Sequence, residues 1–349
     1  MPRSDPGPGA APLVSVVVVN YNGAGALDGC LEALVATTGR TSTEVLVVDN
    51  ASADGSDSIA ESAAERHDSV RLLRSPTNRG YAGAVNLALA EARGAYVAVL
   101  NMDVVVSPDW LDPLVAFCEA TPDAGAVCPL IVLDSDPDRI NAAGQNVHVT
   151  GLGFNRWLGK ERRVAGEEPF AVTGLHGAAF LIRKSLLARL GGWDESGFLY
   201  FEDVELSWLL RIAGSEIWCV PGSTVVHDYH LTMFPHKLFL LERNRWKMLL
   251  ADLRWRTRLA ISPLLAVSEL MMWGYCLLRG PKFLRAKARS YGWVRANRTQ
   301  IRARREQIDS VRRRSDWEVL RGLRWGYPLD QFLTLGRERG KSQRDRIGA

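Results

Sequence analysis

Cysteine is scarce in this chain of 349 residues: Cys30, Cys118, Cys128, Cys219 and Cys276 are scattered, with no C-x-x-C pair. An odd, dispersed set argues against a disulfide framework or a zinc site and suits a reducing cytosol. The first residues, Met1 to Pro12, lack an apolar run and are rich in Pro, Gly and Ala, so they read as a disordered leader and not as a signal peptide. No internal repeat is visible. Net charge is small, +4, yet it hides an asymmetry: residues 1–230 hold 16 Lys/Arg against 29 Asp/Glu, and residues 231–349 hold 27 against 10. An acidic half followed by a basic one suggests that the second half meets something anionic.

What is present is ordinary for a globular protein, with 47% hydrophobic and 23% charged residues. Val14–Val19, Glu44–Asp49 and Ala95–Leu100 are apolar runs rich in β-branched residues, as in strands buried on both faces. Helical patterns lie between them at Gly25–Thr37, Ser56–Arg66 and Ala82–Arg93. Strand alternating with helix predicts an open α/β sheet. Each strand ends in polar residues: Asn20-Tyr21-Asn22, Asp49-Asn50 and Asn101-Met102-Asp103. Ligands of such sheets bind beyond the carboxyl ends of the strands, so these three termini form one candidate site. Further on, Gln145–Leu158 reads as a hairpin or loop excursion, Ala178–Ile182 as a strand, Glu202–Ile212 as a helix and Glu216–Val220 as a strand ended by Pro221-Gly222.

From about Leu238 the chain reads as helix. Leu259–Leu278 has the length of a bilayer core if helical, about 30 Å, but Glu269 sits near its middle. Ser262 and Glu269 share a face, which leaves the opposite face apolar, and basic residues flank the stretch on both sides. That combination predicts a helix lying in, or dipping into, the interface of an anionic leaflet; a buried helix of a C-terminal cap is the alternative.

Five motifs then fall in order: Val14–Asn22, Glu44–Ser52, Asn78-Arg79-Gly80-Tyr81-Ala82-Gly83-Ala84-Val85-Asn86, Leu100–Asp103, and Gly191-Gly192-Trp193-Asp194-Glu195 leading to Tyr200-Phe201-Glu202-Asp203-Val204-Glu205-Leu206. Together they resemble glycosyltransferase family 2, inverting enzymes of the GT-A fold, and within it the bacterial rhamnosyltransferase-like branch of cell-surface polysaccharide synthesis. The resemblance implies a GT-A catalytic domain over residues 13–237, a Rossmann-like mixed sheet flanked by helices; the charge and apolar pattern beyond it predict a basic, membrane-associating helical region over 238–349.

A sugar leaving with a nucleoside diphosphate builds up negative charge, which a divalent metal such as Mn²⁺ or Mg²⁺ can take. By resemblance Asp103 is the last residue of a D-x-D and a metal ligand with His227; the first position is here Asn101, which leaves one carboxylate. His230 is the rival of His227. Asn20, Tyr21, Asn22, Asp49, Asn50, Asn78, Gly80, Asn86, Asn101 and Met102 are implied to hold the donor nucleotide. Asp203 is implied as the general base that takes the acceptor proton, with Glu202 beside it; an N-cap is its structural alternative. Trp193, Asp194 and His176 are the acceptor or sugar candidates. Arg243 and Arg245 are candidates for pairing with the pyrophosphate.

The expected partners are a dTDP- or UDP-linked sugar, a lipid-linked or polysaccharide acceptor and a membrane surface, at the cytoplasmic face of the cell membrane; a homo-oligomer stays open. Nucleic acid is not expected, because the Arg-dense Thr299–Arg314 almost lacks interleaved aromatics. Two rival readings remain. A dinucleotide-binding oxidoreductase would use Asn22–Gly29, but its glycines are spaced G-x-G-x-x-x-G. An inactive, glycosyltransferase-like scaffold rests on Asn101 alone.

Overall fold

The structure is a computed structural model that describes residues 12–37, 41–230, 232–328 and 331. The leader, apart from Pro12, and the last residues of the basic tail lie outside the described residues. The chain opens with β1 (Val14–Asn20), α1 (Leu27–Thr37), β2 (Thr43–Asp49), α2 (Ser56–Arg66), β3 (Val70–Arg74), α3 (Gly80–Glu91) and β4 (Tyr96–Asn101). β1 is buried along its whole length, and its valines alternate between the two sheet faces. Val16 and Val18 join one core and Val17 and Val19 the other, which is why the run reads as continuous and not alternating. β3, an edge strand with arginines at two of its five positions, gave no such run.

Parallel pairing sets the site. β1 lies between β2 and β4 in a register that matches Asn20 with Asp49 and Val19 with Asn101. Three polar strand ends far apart in sequence therefore meet at one edge. The chain continues through β5 (Val104–Val106), α4 (Leu111–Ala120), β6 (Ala124–Leu133), β7 (Asp136–Ala142), β8 (Gln145–Val147), β9 (Gly153–Asn155), β10 (Phe170–Ala171), β11 (Ala179–Arg183), α5 (Lys184–Leu190), α6 (Glu202–Ile212) and β12 (Glu216–His227). The main sheet runs β10-β12-β6-β11-β4-β1-β2-β3, with β5 against β12 and β7 against β6. β11 enters antiparallel between β4 and β6, so the sheet is mixed. β8 and β9 form the expected hairpin.

The strand expected to stop at Val220 instead runs on to His227. A register shift between Val220 and Thr224 absorbs Pro221 and Gly222. Proline has no N–H to give to a ladder, and a bulge accommodates that without ending the strand.

The C-terminal region is α7 (Pro235–Asp252), α8 (Trp255–Ala260), α9 (Ser262–Arg279), α10 (Pro281–Ala296), α11 (Arg298–Val311) and α12 (Asp316–Arg321). α7 packs against α6, α10 and α11. Leu259–Leu278 is not one helix: the chain breaks at Ile261, and Pro263 sits in the first turn of α9, where its missing N–H costs nothing. Among the described residues no helix is long and apolar enough to cross a membrane.

Candidate active site

At the carboxyl edge of the sheet, Asn20 Nδ2 donates to Asp49 Oδ1 at 2.9 Å and to the Ser52 and Ser56 hydroxyls at 3.1 and 2.9 Å. Asn22, at φ 52°, accepts from the Ala53 amide at 2.8 Å. Asn50 and Asn78 tie the next loop: Asn50 Nδ2 donates to Asn78 Oδ1 at 3.0 Å and to the Gly80 carbonyl at 3.2 Å, while Asn78 Oδ1 caps the Gly80 amide at 2.8 Å. These amides tie the loops at the carboxyl edge of the sheet to one another. Gly80 has φ +70°, and a Cβ there would lie 2.1 Å from the Phe198 carbonyl oxygen. Only glycine permits that approach. Met102 folds back over Gly23, where a Cβ would lie 2.3 Å from its sulfur.

Asp103 follows β4 directly, and β5 then pairs with the end of β12 so that His227 lies opposite Val104. His227 Nε2 comes within 3.4 Å of Asp103 Oδ1. His227 Nδ1 is 2.9 Å from Asn141 Oδ1; with Nδ1–H donating to that acceptor, Nε2 would offer its lone pair on the side of Asp103. Asp103 Oδ1 is buried with no hydrogen-bond partner. A lone pair facing an orphaned carboxylate oxygen is the donor set of a divalent cation, the other positions being left to waters and phosphate oxygens. The described residues contain no cluster of three or more His, Cys, Asp or Glu side chains for a metal, so the protein would supply only this pair. His230 pairs instead with Asp228 at 2.9 Å and is exposed.

Asp203 lies in the first turn of α6 and does not cap it; the N-cap position belongs to Phe201. Its Oδ2 accepts from Gln145 Nε2 at 2.8 Å and from the Gly177 amide at 3.0 Å, and its Oδ1 from the Val204 amide at 2.8 Å. Burial raises the pKa of this carboxyl above the usual value, opposed by those donors. Glu202 is pushed up to about 8 by burial and by the charge of Asp203. His176 joins the two halves of the site. Its ring stands edge-on to His227, 5.8 Å between centroids, while the next residue, Gly177, donates to Asp203. His176 Nδ1 accepts from the Ala178 amide at 3.2 Å, and burial and His227 hold the ring neutral, with its pKa down at about 3.

Several side chains that the sequence did not single out complete the site. The Tyr81 hydroxyl is buried without a partner, and burial followed by the charges of Glu202, Asp203 and Asp103 holds its pKa far above the ordinary range. The hydroxyl therefore keeps its proton and has a donor to offer. The loop before Asp203 is strained: Phe198, Tyr200 and Phe201 have φ of 62°, 64° and 79°. Asn244 of α7 holds it, donating from Nδ2 to the carbonyls of Gly197, Leu199 and Tyr200 at 2.9, 3.3 and 2.8 Å.

Other candidates are committed to partners within the fold. Trp193 is a core residue beside Phe180. Asp194 pairs with Lys247 at 2.9 Å, and despite burial that lysine holds its carboxyl down at about 2. Both line a small pocket together with Tyr200 and Glu202, and there the Asp194 carboxylate is engaged by the Lys247 ammonium. Asn86 is likewise committed, donating to the Trp193 carbonyl at 2.9 Å and accepting from its amide at 3.0 Å. It ties α3 to the loop that carries Trp193. Arg243 and Arg245 do not reach a pyrophosphate: Arg243 donates to the Gly197 carbonyl at 2.5 Å and Arg245 is buried against Glu242 at 2.8 Å and Glu269.

Comparison with known proteins agrees with this architecture. Residues 15–191 match the family model described as Glycosyl transferase family 2. The chain is 33% identical over 285 residues to the N-acetylglucosaminyl-diphospho-decaprenol L-rhamnosyltransferase of Mycobacterium tuberculosis, covering 70% of this chain and 89% of that one. It is 31% identical over 233 residues to the pre-mycofactocin glycosyltransferase of the same organism, covering 65% and 45%. Among solved structures, the mannosyltransferase PcManGT of Pyrobaculum calidifontis, in complex with GDP-Man and Mn²⁺, superposes with a TM-score of 0.52 at 21% identity over 88% of both chains. GalNAc-T7 with UDP, GalNAc and Mn²⁺ gives 0.56 at 18% identity over 70% of this chain and 48% of that one. These two similarities carry the fold. The dinucleotide-binding and scaffold readings have no counterpart among these relatives, and the chain belongs to glycosyl transferase family 2, as an inverting glycosyltransferase that draws on a nucleotide-diphosphate sugar for glycan synthesis.

Proposed function

We propose that the protein transfers a 6-deoxyhexose such as L-rhamnose from a dTDP or UDP carrier to a hydroxyl of a lipid-linked or polysaccharide acceptor, at the cytoplasmic face of the membrane. The named rhamnosyltransferase relative supports the sugar and the lipid-linked acceptor. The observation that carries the mechanism is the pair of hydrogen bonds that aim Asp203, from Gln145 and Gly177, one residue from the His176–His227 contact.

In this reading the acceptor hydroxyl gives its proton to Asp203 as its oxygen bonds to the anomeric carbon. The bond from that carbon to the diphosphate oxygen breaks on the opposite face, and the configuration inverts. The raised pKa of Asp203 makes it a stronger base than a solvated aspartate. Asp103 and His227 would hold Mn²⁺ or Mg²⁺, which supplies charge neutralisation to the leaving diphosphate. The loops around Asn20–Asn22, Asp49-Asn50, Asn78–Gly80 and Asn101-Met102 would enclose the nucleotide, and Tyr81 and His176 would face the sugar.

The test is release of nucleoside diphosphate across a panel of nucleotide-sugars, with and without Mn²⁺, for the parent chain and Asp203→Asn. The substitution is expected to lower kcat by about 10²–10⁴-fold, as for loss of a general base. Unchanged transfer by the variant would sink the mechanism; preference for another donor would change only the sugar.

A further inference from the structure

Between Arg258 and Arg279 the only charged residue is Glu269. The fold turns that residue inward. Its carboxylate takes Lys287 Nζ at 2.8 Å and Trp246 Nε1 at 3.1 Å, together with Arg245 and Tyr291. Against the penalty of burial, Arg245 and the hydrogen bonds from Lys287 and Tyr291 keep its pKa below the ordinary carboxylate value. Ser268, the next polar group, is also turned in, donating to Thr150 Oγ1 at 2.8 Å.

With Ser268 and Glu269 turned in, α9 presents an apolar outer face. Leu270, Leu277 and Leu278 are 73%, 70% and 88% exposed, and Val267 lies in the same stripe at helical spacing. Leu259 and Trp255 of α8 extend the exposed apolar surface beyond the break. Exposed basic residues stand at both ends: Arg254 and Arg256 before the stripe, Lys282 and Arg285 after it. An apolar ridge flanked by cations, with a tryptophan at one end, matches the layering of an anionic bilayer surface, where acyl chains lie below a plane of negative headgroups.

We infer that the outer face of α8 and α9 is an in-plane membrane-docking surface that seats the enzyme on an anionic leaflet, an inference that rests on the reading that its acceptor is offered at a membrane. Its place in the fold favours that use. Through Ser268 to Thr150 and Arg245 to the Thr150 carbonyl at 3.2 Å, α9 and α7 grip the turn of the β8–β9 hairpin. The first residue of that hairpin, Gln145, holds Asp203. The docking helix is thus fixed to the element that positions the base.

The experiment is co-sedimentation of the full chain with phosphatidylglycerol vesicles and with phosphatidylcholine vesicles. The comparison is with Leu270→Glu/Leu277→Glu/Leu278→Glu and with Lys282→Glu/Arg285→Glu. The parent is expected to bind phosphatidylglycerol in preference to phosphatidylcholine. The triple substitution should weaken binding at least about a hundredfold, since three leucines leave the acyl layer. The charge reversal should weaken it about tenfold for phosphatidylglycerol alone. Sugar transfer to a short water-soluble acceptor should stay within about twofold for both, which reports an intact fold. A triple variant that binds vesicles like the parent would overturn the inference and leave the membrane reading standing through another surface. A parent chain that ignores every vesicle would remove the membrane reading itself, and this inference with it. A parent that dimerises by sedimentation velocity, with the triple variant monomeric and vesicle binding unaltered, would reassign the face to a second copy of the chain.

Discussion

Gln145 Nε2 donates a 2.8 Å hydrogen bond to Asp203 Oδ2, joining the first residue of a β-hairpin to the first turn of a helix 58 positions away. The bond favours the ionised carboxylate, so its removal raises the pKa of Asp203. Gln145→Leu is therefore expected to move the acidic limb of the kcat/KM profile to higher pH and to lower kcat/KM about tenfold, as for one lost hydrogen bond to a charged group. The KM of the donor should hardly change. A pH profile that keeps its acidic limb would show that Gln145 serves only the hairpin.

Asn141 Oδ1 sits 2.9 Å from His227 Nδ1, placed to favour the tautomer with Nε2 free. Asn141→Ala frees that choice and is expected to weaken Mn²⁺ binding by about 10–100-fold, the usual effect of losing an orienting partner behind a metal-binding histidine. Calorimetric titration with Mn²⁺ alone reads this without turnover. Equal affinity in the variant would mean that His227 does not bind the ion through Nε2.

Glu202 makes stability depend on pH. Its carboxyl is raised to about 8 in the fold from an ordinary value of 4.5, so the unfolded chain releases its proton first. Stability from this group is full below the ordinary value and declines as pH rises through that window. Glu202→Gln cannot ionise; it should melt above the parent at pH 8 and together with it at pH 4. Thermal melts across pH decide this, and parallel curves would show that Glu202 ionises normally.

Asn244 braces the left-handed residues that precede Asp203. Asn244→Ala leaves carbonyls without their donor and is expected to cost about 1–3 kcal/mol of stability. It should lower kcat more than it raises KM, since the base moves while the nucleotide loops stay. Asn244→Asp should not rescue, because a carboxylate has no donor for carbonyls; rescue by Asp would mean that Asn244 acts otherwise.

The catalytic half was legible because its strands are buried on both faces. β1, β2 and β4 must be apolar throughout, and each must end in polar residues where it reaches the cleft. The family motifs sit on those ends and on the first turn of α6, so Asp49, Asp103 and Asp203 were readable. β3 was not, because an edge strand mixes arginine with leucine; His227 was named by resemblance, and the run of β12 past Pro221 shows how it comes beside Asp103. Gln145, Asn141 and Asn244 left no local signal, being single amides in a hairpin, a strand and a helix.

The sequence by itself determined the kind of sheet, the residues at its carboxyl edge and the family, since burial on two faces and short motifs are properties of consecutive residues. Only the tertiary structure decided which side chains face one another. It drew Trp193, Asp194, Arg243 and Arg245 into the interior, where buried charge must be paired. It set His227 against Asp103 through the pairing of β5 with β12. And it turned Glu269 away from the leucines beside it, because four long-range partners hold that carboxylate, leaving an apolar face that no local pattern distinguishes from a buried one.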